Sequence, residues 1–140
     1  MKNPKYFQLS EFLESETAQV LNINNFPTWE EVECMKQFAI NTLDVIRSRW
    51  GQALLISSGF RVPELNIAVG GSITSDHMNG LAVDIKLPHS SRKKLVELYT
   101  LIVYLTEQGI INIDQVIFKR KKGIIHIGVG ERLRKQFIVK

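Results

Sequence analysis

One carboxylate restricts the folds open to this sequence more than any other residue. Asp84 lies inside Leu81-Ala82-Val83-Asp84-Ile85-Lys86-Leu87, a run whose alternation predicts a strand. An ionised side chain within such an apolar strand is costly to desolvate unless it is paired. The chain therefore has to bring Asp84 a partner from elsewhere. His77 lies seven positions earlier, at the end of an aperiodic loop leading into the strand, and His126 sits in Ile124-Ile125-His126-Ile127, again among apolar residues.

The rest of the sequence supplies regular elements around these residues. Thr28-x-x-Glu31 reads as a capping box, and Val32, Met35, Ala39, Leu43, Ile46 and Trp50 recur in steps of three or four until Gly51 ends the helix. Met35 and Trp50 are core residues at this spacing. Ala53-Leu54-Leu55-Ile56 has the length of a short buried strand, and Ser57-Ser58-Gly59-Phe60-Arg61 that follows is loop chemistry. Pro63 opens a short helix to about Ala68, closed by Gly70-Gly71, and residues 72–80 read as an ordered loop. Ser90 or Ser91 caps a second long helix that buries Leu95, Leu98, Tyr99, Ile102 and Leu105 and stops at Gly109. A hairpin follows, with strands Gln115 to Lys119 and Ile124 to Val129 and a turn at Arg120 to Gly123.

These elements predict an α+β fold, a small and mainly antiparallel sheet with flanking helices and the polar cluster on the sheet. With 140 residues and 44% hydrophobic content, the chain suits one domain spanning 1–140. No apolar run is long enough for a membrane span, since Leu95 to Leu105 is broken by Glu97, Tyr99, Thr100 and Tyr104. Met1 to Gln8 has positive charge but neither the apolar stretch nor the cleavage site of a signal peptide, so the expected location as synthesised is cytoplasmic. A single cysteine, Cys34, excludes an internal disulfide and a cysteine-rich zinc knuckle, and its helical context predicts a small buried side chain.

Lysine and arginine outnumber acids 18 to 14, for a net charge of +4. The excess is local: Lys119-Arg120-Lys121-Lys122 forms one run, and Arg132, Arg134, Lys135 and Lys140 crowd the end of the sequence. A solvated turn and tail is the simplest reading, and contact with an anionic partner is the alternative. No recognition helix, stacking-aromatic strand or zinc-finger spacing points to nucleic acid.

Two imidazoles and one carboxylate can form a three-ligand zinc site with the fourth position open, the arrangement that catalysis needs. A buried His/Asp hydrogen bond plus an unrelated strand histidine explains the same residues. The third histidine, His89, sits beside Pro88 and reads as an exposed turn residue.

Ser75-Asp76-His77-Met78-Asn79-Gly80-Leu81-Ala82-Val83-Asp84 fits the pattern Ser-x-His-x-x-Gly-x-Ala-x-Asp. Ser57-Ser58-Gly59-Phe60-Arg61 and Leu65-Asn66-x-Ala68-Val69-Gly70-Gly71 precede it, while Asp114-Gln115-Val116-Ile117 and His126 follow. In these features, which run from Leu9-Ser10-Glu11-Phe12 to Val129, the sequence resembles the D-alanyl-D-alanine metallocarboxypeptidase family, which includes phage L-alanyl-D-glutamate endopeptidases, and most of all its short prophage-associated branch. The resemblance implies zinc held by His77, Asp84 and His126, and peptidoglycan stem peptides as substrates. It implies that Arg61 holds a substrate carboxylate, with Ser75 assisting or serving only as a loop hydrogen-bonder. A cytoplasmic location fits a phage lysis protein that waits there until the membrane is permeabilised, and fits equally a cytoplasmic enzyme acting on muropeptides.

One feature departs from the family. Such peptidases need a carboxylate near the metal to take a proton from the attacking water and pass it to the leaving amine. In this branch it is usually a glutamate directly after the Asp-Gln-x-Ile-x strand, where this sequence has Lys119. The aromatic residue expected two positions before the last histidine is Ile124. A peptidase whose base is a different carboxylate, with Asp76 and Asp114 as candidates, and a zinc-stabilised binding module for wall peptides or a protein partner both fit this pattern.

Overall fold

The structure is a computed structural model that describes residues 2–89 and 91–140. Its helices are α1 (Leu9–Leu13), α2 (Glu16–Val20), α3 (Trp29–Phe38), α4 (Asp44–Trp50), α5 (Pro63–Ala68) and α6 (Arg92–Glu107). Its strands are β1 (Leu55–Ser58), β2 (Ala82–Lys86), β3 (Gln115–Lys119), β4 (Ile124–Gly128) and β5 (Gln136–Val139). They form one sheet in the order β1-β2-β4-β3-β5, antiparallel throughout except for the β3/β5 pair. The α+β expectation is met.

Side-chain alternation gives the sheet two chemically different faces. Val83, Ile85, Val116, Phe118, Ile125 and Ile127 join the hydrophobic core together with Leu98, Ile102 and Leu105 of α6 and Met35 and Ile46 of α3 and α4. Side chains of this kind, when completely covered, contribute about 1.5–3 kcal/mol each. The opposite face carries Asp84, His126, Ile117 and Lys119, which the register places in adjoining rows. The helices thus pin one face and leave the other for polar groups.

The long first helix is capped by Thr28 and Glu31 as expected and ends at Gly51, whose φ of 79° is the left-handed conformation glycine tolerates. It is not uniform. Residues Ala39–Leu43 form a π-turn between α3 and α4, and the wider turn buries Thr42 beside Ala39 and Leu43. Ser91 caps α6 through its side chain, and Ser90 lies outside the described residues. His89 is exposed in a bend.

Four expectations need correction. The strand expected at Ala53 to Ile56 begins two residues later and takes in Ser57 and Ser58; it pairs only with β2, and Leu55 faces solvent while Leu54 is buried in the core and Ile56 packs against it. Cys34 is half-buried rather than buried. The basic tail is not simply solvated, because Gln136–Val139 pairs in parallel with β3. Near the start of the chain, α1 and α2 are additional short helices, and Phe7, Phe12 and Ala18 are buried there.

Candidate metal centre

Three elements deliver the cluster. Ser75 accepts a hydrogen bond from the backbone N–H of His77 at 3.2 Å and so starts the 3-10 turn Asp76–Asn79, which Gly80 ends with a φ of 73°. That turn drops His77, only 3% exposed, against the start of β2. Asp84 stands in the middle of β2 directly opposite His126 on β4. The ligand atoms that the three side chains offer lie within 4.8 Å of one another.

The surrounding backbone settles which ring nitrogen of His77 is available. Its Nδ1 is 2.7 Å from the carbonyl oxygen of Gly59, which only accepts, so Nδ1 carries the proton and Nε2 presents its lone pair to the cluster. His77 Nε2 is 3.5 Å from Asp84 Oδ1, and His126 Nδ1 is 2.9 Å from the same oxygen. Burial alone would raise the Asp84 pKa, but the hydrogen bond from His126 and the close approach of the His77 ring outweigh it and hold the carboxyl far below its usual range.

Arg61 flanks this cluster. Its Nε and Nη2 donate to Ser58 Oγ at 3.3 and 3.2 Å, its Nη1 donates to Asn66 Oδ1 at 3.2 Å, and Nη2 lies 3.9 Å from Asp84 Oδ2. Asn66 is itself buried and donates to the Ser72 carbonyl at 2.8 Å. A Cβ at position 71 would run into the Asn66 side chain and the Arg61 guanidinium, so Gly71 permits this close approach. Ser58 and Gly59 were visible in the sequence as loop residues and Asn66 as part of a short helix, but nothing there revealed that they orient Arg61 and His77.

These residues border a groove of about 420 Å³, to which Arg61, Ser75, Asp76, His77, Lys119 and His126 all contribute. The family model for peptidase M15 matches residues 5–127, most of the chain and all three cluster residues. The chain belongs to the peptidase M15 family. No curated protein matches it.

A peptidase M15 metal centre needs a donor set of the right chemistry, and the cluster meets that condition. A tetrahedral ion with bonds of about 2.0–2.1 Å holds its ligand atoms about 3.4 Å apart. The 3.5 Å separation of His77 Nε2 and Asp84 Oδ1 matches this spacing, and the 2.9 Å separation of His126 Nδ1 and Asp84 Oδ1 needs only a small opening. Residues His77, Asp84 and His126 thus suit a metal ion.

The other candidate residues occupy different environments. Asp76 lines the groove, and its carboxylate packs so closely over Gly130 that a Cβ there would stand 2.7 Å from Oδ2. Burial, aided by the nearby Asp114 charge, raises the Asp76 pKa against the opposing pull of Arg132, His126 and Arg134. Asp114 is completely covered and accepts hydrogen bonds from the backbone N–H of Arg134 at 3.0 Å and from its guanidinium at 2.9 and 3.1 Å. Arg132 Nη2 lies 3.7 Å from Asp114 Oδ2. Lys119 pairs with Ile124 and borders the groove, as the hairpin register predicts.

The Asp114 pairing ties the tail to the sheet. The Arg134 hydrogen bonds outweigh burial and hold the Asp114 carboxyl below its usual range. Its stabilising contribution is thus present above the unfolded carboxylate pKa of about 3.9 and is lost as pH falls through the lower folded value. Asp114→Asn is expected to cost about 2 kcal/mol in urea unfolding at neutral pH, the scale of hydrogen bonds to a buried charge. The gap from wild type should close below about pH 4. Equal stability of the two proteins at neutral pH would contradict the assignment.

Proposed function

We propose that the protein is a zinc-dependent peptidase that hydrolyses an amide bond in the peptide stem of bacterial peptidoglycan. The observation that carries the reading is the convergence of His77 Nε2, Asp84 and His126 Nδ1 in the groove of a peptidase M15 chain, with an oriented guanidinium alongside. Zinc, when bound, polarises the scissile carbonyl and makes the attacking water more acidic. His77 and His126 would hold it as neutral imidazoles and Asp84 as the anion.

Arg61 receives a substrate carboxylate, for which its planar fork is suited once Ser58 and Asn66 have fixed its plane. Ser75 belongs to the same wall, although its hydroxyl already caps the turn that carries His77. Asp76, which borders the groove, is the proton acceptor left to this reading besides the proposed ligand Asp84, a substitute for the glutamate that the resemblance implies at position 119. Asp114, held by Arg134, serves the fold.

A second reading is favoured by Lys119, which borders the groove at the position where the resemblance implies a glutamate. In it the protein is a catalytically impaired zinc-binding module that recognises wall peptides or a protein partner. Purified peptidoglycan incubated with chelated and then zinc-restored protein separates the two. New amino termini or released amino acids that depend on zinc support the peptidase, and retention on peptidoglycan without any cleavage rejects it.

Replacing Arg61 with alanine is expected to raise KM or weaken peptide binding about tenfold or more, as for a lost charge-assisted contact, with zinc content unchanged. Loss of metal or of folding would make Arg61 structural. Undiminished binding of stem peptides would remove its carboxylate role.

A further inference from the structure

The hairpin that carries His126 borders two clefts, not one. Lys119 is common to both: it lines the metal groove and also a second cleft of about 480 Å³ formed with Arg92, Arg120, Lys121, Lys122 and Lys140. The volume is that of a ligand pocket. The wall of this cleft is anchored, since the backbone N–H and Nε of Arg120 both donate to the Lys140 carbonyl oxygen, at 2.9 and 3.1 Å. Gly123 closes the turn by donating to the Lys119 carbonyl oxygen at 3.0 Å.

Residues 115–130 contain neither Asp nor Glu, and among the described residues none of the six side chains stands in an ion pair. Six cations around one concavity repel one another and attract an anion. We infer that this cleft is a binding subsite for a carboxylate-rich peptide segment, continuous with the peptide chain that occupies the metal groove. The inference rests on the peptidase reading and extends it to the substrate beyond the scissile bond.

Two observations favour an acidic peptide over a phosphodiester chain. Lys119 joins the cleft directly to the groove, so one extended ligand occupies both. The walls are lysine and arginine stems with no aromatic side chain, which offers carboxylates on short aliphatic arms both a lining and a charge, but offers nucleic-acid bases no stacking platform.

The test is fluorescence polarisation with a labelled peptide of alternating alanine and glutamate, its glutamine analogue, and a labelled thymidine oligonucleotide, at about 0.15 M salt. Wild type should prefer the glutamate peptide over the glutamine peptide about tenfold or more. Lys121→Glu combined with Lys122→Glu should abolish that preference, whereas the charge-matched Lys2→Glu with Lys5→Glu, which lines neither cleft, should keep it. Chelation of metal should leave it intact. Equal loss in both double variants, no preference in wild type, or an oligonucleotide bound as tightly as the glutamate peptide would each overturn the subsite. Failure of the peptidase reading looks different: the charge preference persists while zinc-restored protein cleaves nothing.

Discussion

Wild-type protein should carry about one zinc per chain, and Asp84→Ala should carry essentially none after gel filtration, with hydrolysis lost as well. Asp84 is the only anion of the triad, and it touches both imidazoles through Oδ1 at 3.5 and 2.9 Å. Its removal leaves two neutral nitrogen donors that nothing draws together. Even groups that only orient a metal ligand are worth about 10–100-fold in affinity, so loss of a ligand should cost at least about 100-fold. The alanine also spares the fold a buried charge, so circular dichroism should show a folded protein. Equal metal in the two proteins would end the zinc assignment.

The second large effect concerns the hairpin. Lys119 pairs with Ile124 and Ile117 with His126, so Lys119 stands on the same sheet face as the histidine, two residues or about 6.8 Å further along the strand. A protonated ammonium there accepts no proton and opposes a cation in the cluster. Loss of a positioned base typically costs about 10²–10⁴-fold in rate. Lys119→Glu is therefore expected to raise kcat at least about tenfold over a slow wild type. If wild type already turns over rapidly and the glutamate changes nothing, Asp76 or another group performs the proton transfer unaided. The same substitution removes a cation from the second cleft, and so should weaken glutamate-peptide binding even as it quickens cleavage.

The sequence disclosed most where chemistry and period coincided. Asp84 announced itself as a charge inside an apolar strand, and the two-residue alternation of Gln115 to Lys119 and Ile124 to Gly128 carried both the hairpin and its register. The tail was opaque for a physical reason. Gln136–Val139 is only four residues long and becomes a strand because β3 lies beside it and Asp114 grips Arg134, both distant in the chain. Nor could Asn66 be singled out, since its burial depends on Gly71 leaving room for it and for Arg61. The π-turn escaped because an extra residue in one turn leaves the three-and-four spacing of Ala39, Leu43 and Ile46 undisturbed.

The position of the cluster within the sheet decides how a peptide can be read. Asp84 and His126 lie on β2 and β4, and β3 beside them has β5 on its far side, so all three strands have hydrogen-bonded neighbours on both edges. An incoming chain cannot extend the sheet next to the metal by strand addition, the mode in which main-chain hydrogen bonds supply affinity with little regard to sequence. It has to lie across the face, against side chains and the loop backbone at Gly70 and Gly71. Recognition then depends on functional groups that side chains can distinguish, and exchanging a few residues on the loop of Arg61 or the turn after Lys119 can change the preferred peptide without altering a single rung of the ladder.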